Sequence, residues 1–147
     1  AAQINLGFSG SGRGEENMAR YIASLDMSAF VLDYDHNAPT VEHLEKTHEK
    51  FFNIVREAHP DLPIVMMSKP DFDSDREKNA LRRNVIARTY AHALEKGDKN
   101  VWFINGESFF GNHDRELCTV DGCHPTSLGF VRMADVVEAV LRPVLYK

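Results

Sequence analysis

The chain has 147 residues, 43% hydrophobic and 27% charged, with a net charge of −5 at pH 7. This is enough for one domain with a real core, and the composition is that of an ordinary globular protein. The negative balance gives no electrostatic reason to expect nucleic acid or an anionic membrane as partner, and no apolar run approaches the roughly 20 residues of a membrane span.

Ile4 to Leu6 form a short apolar run ahead of Gly7-Phe8-Ser9-Gly10-Ser11-Gly12, which predicts a strand entering a glycine-rich loop. Glu15 and Glu16 suit a first helical turn, and Met18, Ile22 and Leu25 then repeat at helical spacing up to Asp26. Ala29 to Leu32 reads as a second strand, ending in Asp33-Tyr34-Asp35-His36-Asn37. Pro39 and Thr40 open a long helix with an apolar stripe of Val41, Leu44, Phe51, Ile54 and Val55, and Pro60 and Pro63 bracket its exit.

Ile64 to Met67 is a third strand that breaks at Ser68-Lys69-Pro70. Ser74 with Glu77 resembles a capping box for a helix carrying Leu81, Val85, Ile86 and Leu94, which stops before Gly97. Val101 to Ile104 is a fourth strand, with Trp102 expected in the core. Asn105 to Thr119 reads as an irregular loop. A last helix carries Leu128, Val131, Ala134, Val137 and Leu141, and Pro143 is expected to end it.

Short apolar runs alternating with amphipathic helices predict an α/β fold with a parallel sheet, in one domain over residues 1–147. Ligands of such sheets bind beyond the carboxyl ends of the strands. Three polar clusters fall there: the glycine loop, DYDHN, and DGCHP at Asp121 to Pro125.

Each cluster admits a chemistry. Gly7 with Gly12-Arg13-Gly14 mimics a P-loop, but Arg13 and Gly14 stand where Lys and a hydroxyl residue are needed, so a tight strand-to-helix turn is the better reading. Asp33 and Asp35 at a strand end could serve an Mg²⁺-dependent phosphohydrolase of the haloacid-dehalogenase-like type, with Lys69 on the phosphate. Against that, Asn37 stands where those enzymes usually carry Thr or Val, no acidic metal motif follows, and DGCHP is left unused. In DGCHP, a turn can set the Asp121 carboxylate against the His124 imidazole. That fixes the tautomer and frees the other nitrogen as a base. With Gly10 offering a backbone N–H and Asn37 a side-chain amide, all three clusters serve acyl transfer. His113, Asp114, Cys118, Cys123 and His124 match no familiar zinc spacing, so no metal and no cofactor is expected.

NLGFSGSG at Asn5 to Gly12, DHNA at Asp35 to Ala38 and DGCHP resemble three sequence blocks of the SGNH (GDSL-like) lipase/acylhydrolase family. The resemblance implies a flavodoxin-like three-layer α/β/α domain and a Ser-His-Asp triad. Asp121 and His124 match the acid and base; Gly10 and Asn37 match the oxyanion donors. By position at the strand ends, Ser9, Asp35 and Lys69 are further candidates to border the substrate, although a plain loop is the better reading of Ser68-Lys69-Pro70. The DHNA block departs from the family's Gly-x-Asn-Asp, with Asp35 for Gly and Ala38 for Asp.

The family's nucleophilic serine lies in an earlier block, at the end of the first and central strand, and nothing here matches it. The chain opens AAQINL without an initiator Met. The expectation is therefore a C-terminal portion lacking that strand, the helix after it and the nucleophile, roughly 30 to 40 residues in all by the size of a βα unit. The parent would hydrolyse a small ester, an acetylated sugar or a lipid, while this chain alone would be inactive or a non-catalytic binding fragment. Loss of a central strand would expose edges and favour self-association. Cys118 and Cys123 are expected as free thiols, which favours the cytoplasm, although the N-terminus fixes no localisation.

Overall fold

The computed structural model describes residues 2–146. In chain order it contains α1 (Glu16–Ala23), β1 (Phe30–Leu32), α2 (Val41–Ala58), β2 (Ile64–Met67), α3 (Arg76–Glu95), β3 (Val101–Ile104) and α4 (Ser127–Leu145). The strands form one parallel sheet in the order β1-β2-β3, with Phe30 opposite Ile64 and Ile64 opposite Val101. This is the expected open α/β arrangement.

Alternation along each strand divides the core in two. Leu32, Ile64, Met66 and Val101 face a cluster completed by Ile22 of α1, Leu44, Phe51 and Val55 of α2, and Val85 and Ile86 of α3. Val65, Met67 and Ile104 face the opposite cluster, with Phe109, Phe110 and Cys118, against which Met133, Val137 and Leu141 of α4 pack. All four residues of β2 are buried because this strand has a neighbour on each edge and helices over both faces. Trp102 is half-buried and packs with the second cluster.

Several boundaries follow local chemistry. Thr40 caps α2 by accepting from His43 N–H at 3.1 Å. Gly97 takes φ +86° directly after the end of α3, as a left-handed helix stop requires.

The structure corrects four sequence expectations. Ile4 to Leu6 is not a strand: the outer edge of β1 has no partner among the described residues, and an apolar run without a ladder neighbour has nowhere to place its backbone hydrogen bonds. The cap of α3 is Asp75, which accepts from Lys78 N–H at 3.1 Å, while Ser74 instead donates to Asp71 O at 2.7 Å. Pro143 lies inside the last turns of α4 rather than ending it. Leu81 and Leu94 are exposed, and the buried face of α3 includes Asn79, Arg82 and Thr89.

Candidate functional site

The carboxyl ends of β1, β2 and β3 feed three loops, and α3 pins two of them from beneath. After β1 the chain turns through a short 3₁₀ helix at Asp35–Asn37. Asp35 is 1% exposed, and its Oδ1 accepts from Arg82 Nε at 2.7 Å while its Oδ2 accepts from Lys69 N–H at 2.9 Å. Arg82 also donates to the carbonyls of Asp35 and Ala38. A buried carboxylate engaged on both oxygens is a structural anchor, so Asp35 does not border a substrate. It is likewise withdrawn from an Mg²⁺ or phosphoryl site with Asp33, which is exposed. The phosphohydrolase reading loses its central carboxylate.

The loop after β2 is held in the same manner. Asn79 donates to the carbonyls of Asp71 and Phe72 at 3.2 and 3.0 Å. Ser68 Oγ accepts from Gly106 N–H at 2.8 Å, drawing the ends of β2 and β3 together. The approach is so close that a Cβ on Gly106 would lie 2.0 Å from Lys69 O. Lys69, expected beside the substrate, turns its ammonium to Asp71 Oδ2 at 3.1 Å.

DGCHP forms a compact loop closed by an antiparallel bridge between Thr119 and Pro125, with Val120 N–H bonded to His124 O at 2.9 Å. Gly122 supplies the turn at φ +80°. Asp121 Oδ1 accepts from the backbone N–H of both Cys123 and His124, at 3.0 and 2.8 Å, and Oδ2 lies 2.7 Å from His124 Nδ1. The His124 backbone N–H foremost, then its imidazole, holds the Asp121 carboxyl down to about 2. An ionised carboxylate only accepts, so Nδ1 carries a proton, and in the neutral ring Nε2 is the nitrogen that keeps its lone pair. Both side chains are open to solvent, 51% and 74% exposed, so an incoming molecule can reach Nε2. Directly beyond the loop, Thr126 caps α4 through Gly129 N–H, and a Cβ on Gly129 would lie 2.2 Å from Cys118 O.

The glycine loop turns at Ser9 and Gly10, with φ +47° and +85°. Space around the Gly10 α-carbon is open, and both residues are exposed. Arg13 folds back to donate to Gly10 O at 3.1 Å. Asn37 is half-buried and its Nδ2 lies 3.9 Å from where a Gly12 Cβ would stand, so the glycine loop and the DHN turn are neighbours. The DHN turn meets DGCHP through His36, whose Nε2 is 2.9 Å from Cys123 Sγ. The structure thus places the three polar clusters along one edge of the sheet. His36, Asp71, Arg82 and Gly106 have prominent parts there that the sequence alone does not mark. A polar residue in an apolar helix stripe, Arg82, was the signal available. Cys118 and Cys123 are unbridged, and Cys118 is buried in the second core.

The model of the GDSL-like lipase/acylhydrolase family matches residues 1–142. The chain belongs to that family.

Among solved structures, a candidate GDSL-like lipase from Bacteroides ovatus is 32% identical, with a TM-score of 0.83, and the match covers 97% of this chain and 43% of that one. A salicylyl-acyltransferase from a tetracycline biosynthetic pathway, at 22% identity and TM-score 0.69, shares the fold over 86% of this chain and 40% of its own. So does an active-site mutant of a family two carbohydrate esterase from Clostridium thermocellum, at 17% identity and TM-score 0.67, over 86% and 42%. The chain therefore spans less than half the length of each GDSL-fold relative. No curated protein matches it.

Proposed function

We propose that this chain carries the base, the acid and the oxyanion donors of a serine ester hydrolase. The observation that carries the reading is the 2.7 Å contact between His124 Nδ1 and Asp121 Oδ2, which turns Nε2 away from the carboxylate in a ring that is open to solvent. Asp121 orients the ring and stabilises the imidazolium. His124 Nε2 takes the proton of a serine hydroxyl as it attacks the ester carbonyl, then returns it to the leaving alcohol. Gly10 N–H and Asn37 Nδ2 hold the oxyanion.

The nucleophile in this proposal is a serine outside the 147 residues. Among the described residues no serine hydroxyl hydrogen-bonds His124, and the relatives are more than twice as long. The chain alone is then inactive toward esters, because triad members act as a unit. The substrate is a small ester, an acetylated sugar or a lipid, and family membership supports the reaction class.

Labelling with a fluorophosphonate probe, read by peptide mass spectrometry on this chain and on one extended upstream, tests the proposal. The expected adduct sits on an upstream serine of the long form and disappears in His124→Ala. An adduct on Ser9 or Ser11 of the short form would move the nucleophile into the glycine loop. No adduct on either form would overturn the esterase reading.

A further inference from the structure

One cluster beside the candidate triad is not used by the ester chemistry. His36 stands between Asp71 and Cys123, with Nε2 2.9 Å from the thiol sulfur and Nδ1 3.3 Å from Asp71 Oδ1. Asp71 is only 5% exposed. Its Oδ2 is taken by Lys69 and Ser74, at 3.1 and 3.2 Å, but Oδ1 is buried without a hydrogen bond, with His36 Nδ1 the nearby charge partner at 3.3 Å. A buried carboxylate oxygen left in this state calls for a partner.

A Cys-His-Asp row also invites a nucleophile reading, and the electrostatics oppose it. Burial, then the carboxylates of Asp71 and Asp121, push the Cys123 thiol up, away from the thiolate that attack requires. A divalent cation would give Asp71 Oδ1 the positive partner it lacks, and would bond the sulfur as thiolate with its proton displaced to solvent.

We propose that Cys123, His36 and Asp71 form a zinc-type metal site, each giving one donor atom, with the fourth position open to water. The three donor atoms lie within 4.8 Å of one another. Tetrahedral zinc spaces such ligands about 3.3 to 3.6 Å apart, so binding draws the three donors together, with the His36 ring turning to present one nitrogen to the ion. One sulfur, one imidazole and one carboxylate select a borderline-soft ion over Mg²⁺ or Ca²⁺. The site joins the DHN turn, the loop after β2 and DGCHP, and it stands whether or not the chain serves an esterase.

The test is titration of the metal-free protein with Co²⁺ followed by absorbance, and with Zn²⁺ by calorimetry. The expected result is one equivalent bound, with a sulfur-to-cobalt charge-transfer band that Cys123→Ser abolishes. His36→Gln and Asp71→Asn should each weaken Zn²⁺ by roughly tenfold or more. His36 is partly exposed, so His36→Gln carries the result should Asp71→Asn fail to fold. The proposal is overturned if the band is absent, if it survives Cys123→Ser, or if Mg²⁺ binds as tightly as Zn²⁺. It is also overturned if His124→Gln removes binding while His36→Gln does not, which would put the ion on Asp121, Cys123 and His124 instead.

Discussion

Arg82 Nε donates to Asp35 Oδ1 at 2.7 Å, and neither side chain is more than 5% exposed. The pair joins the middle of α3 to the turn after β1, 47 residues earlier. Removing one partner strands the other charge in the interior. Arg82→Met should therefore destabilise the fold by about 3–5 kcal/mol, read as a lower urea midpoint with an unchanged slope. Wild-type stability in that variant would mean that Asp35 finds water or protonates at little cost.

Asn37 is expected to act on the rate and not on binding. In a catalytically complete form, Asn37→Ala should lower kcat by roughly 10² to 10³ with KM little changed. A change confined to KM would make Asn37 a substrate contact.

Acid should weaken the fold in a first step that belongs to His48. This residue is 1% exposed beneath Tyr34, with Nδ1 2.9 Å from Thr89 Oγ1, and burial lowers it from 6.5 to about 4. The unfolded chain then binds the proton more readily than the folded one. Stability is full above pH 6.5 and falls as the pH drops toward 4, by on the order of 3 kcal/mol. Chemical denaturation at stepped pH should show that contribution as the difference between the wild type and His48→Gln, because Asp33, raised from 3.8 to about 6 by desolvation of its carboxyl, acts with the opposite sign in part of the window.

Asp121 acts in a lower window. Its carboxyl falls from 3.8 to about 2 in the fold, so its hold on the DGCHP turn is complete above pH 3.8 and is lost as the pH falls through 2. In NMR spectra the His124 ring proton on Nδ1 should keep its hydrogen-bonded shift down to that range. Asp121→Asn should lose it at neutral pH. Loss near pH 4 in the wild type would show that the backbone N–H groups do not hold the carboxylate.

The outer edge of β1 and the exposed apolar residues Leu128, Phe130 and Val131 at the start of α4 give a route to association. We propose that the isolated chain self-associates through them. Sedimentation velocity should show mass rising with concentration, and a concentration-independent monomer would overturn it.

The layer plan was legible because β1, β2 and β3 are short apolar runs between helical stripes, and nothing in the tertiary structure contests them. DGCHP was legible as a unit because a carboxylate, a glycine and an imidazole three residues from the carboxylate suffice to build its turn. The anchors were not. Arg82 and Asn79 are polar residues whose partners the sequence does not name, and only Asp35 and Asp71, dozens or several residues away, make their burial tolerable. Leu81 and Leu94 fit an apolar stripe, yet the buried face of α3 runs through Asn79, Arg82, Val85, Ile86, Thr89 and Ala93 and leaves both leucines outside. Ile4 to Leu6 has strand composition, but hydropathy carries no information about whether a neighbouring strand is there to receive it.

Strand β2 places Ile64 and Met66 in one core and Val65 and Met67 in the other. Neither half of the molecule can melt while those four residues stay in place. Their amides should therefore be among the slowest to exchange with deuterium, opening only when the whole chain unfolds. Any ligand that binds only the folded form, at the sheet edge or on Cys123, should slow exchange at Ile64–Met67 by its full binding free energy. Four backbone amides that touch no ligand then serve as a gauge of occupancy that needs no assay for turnover.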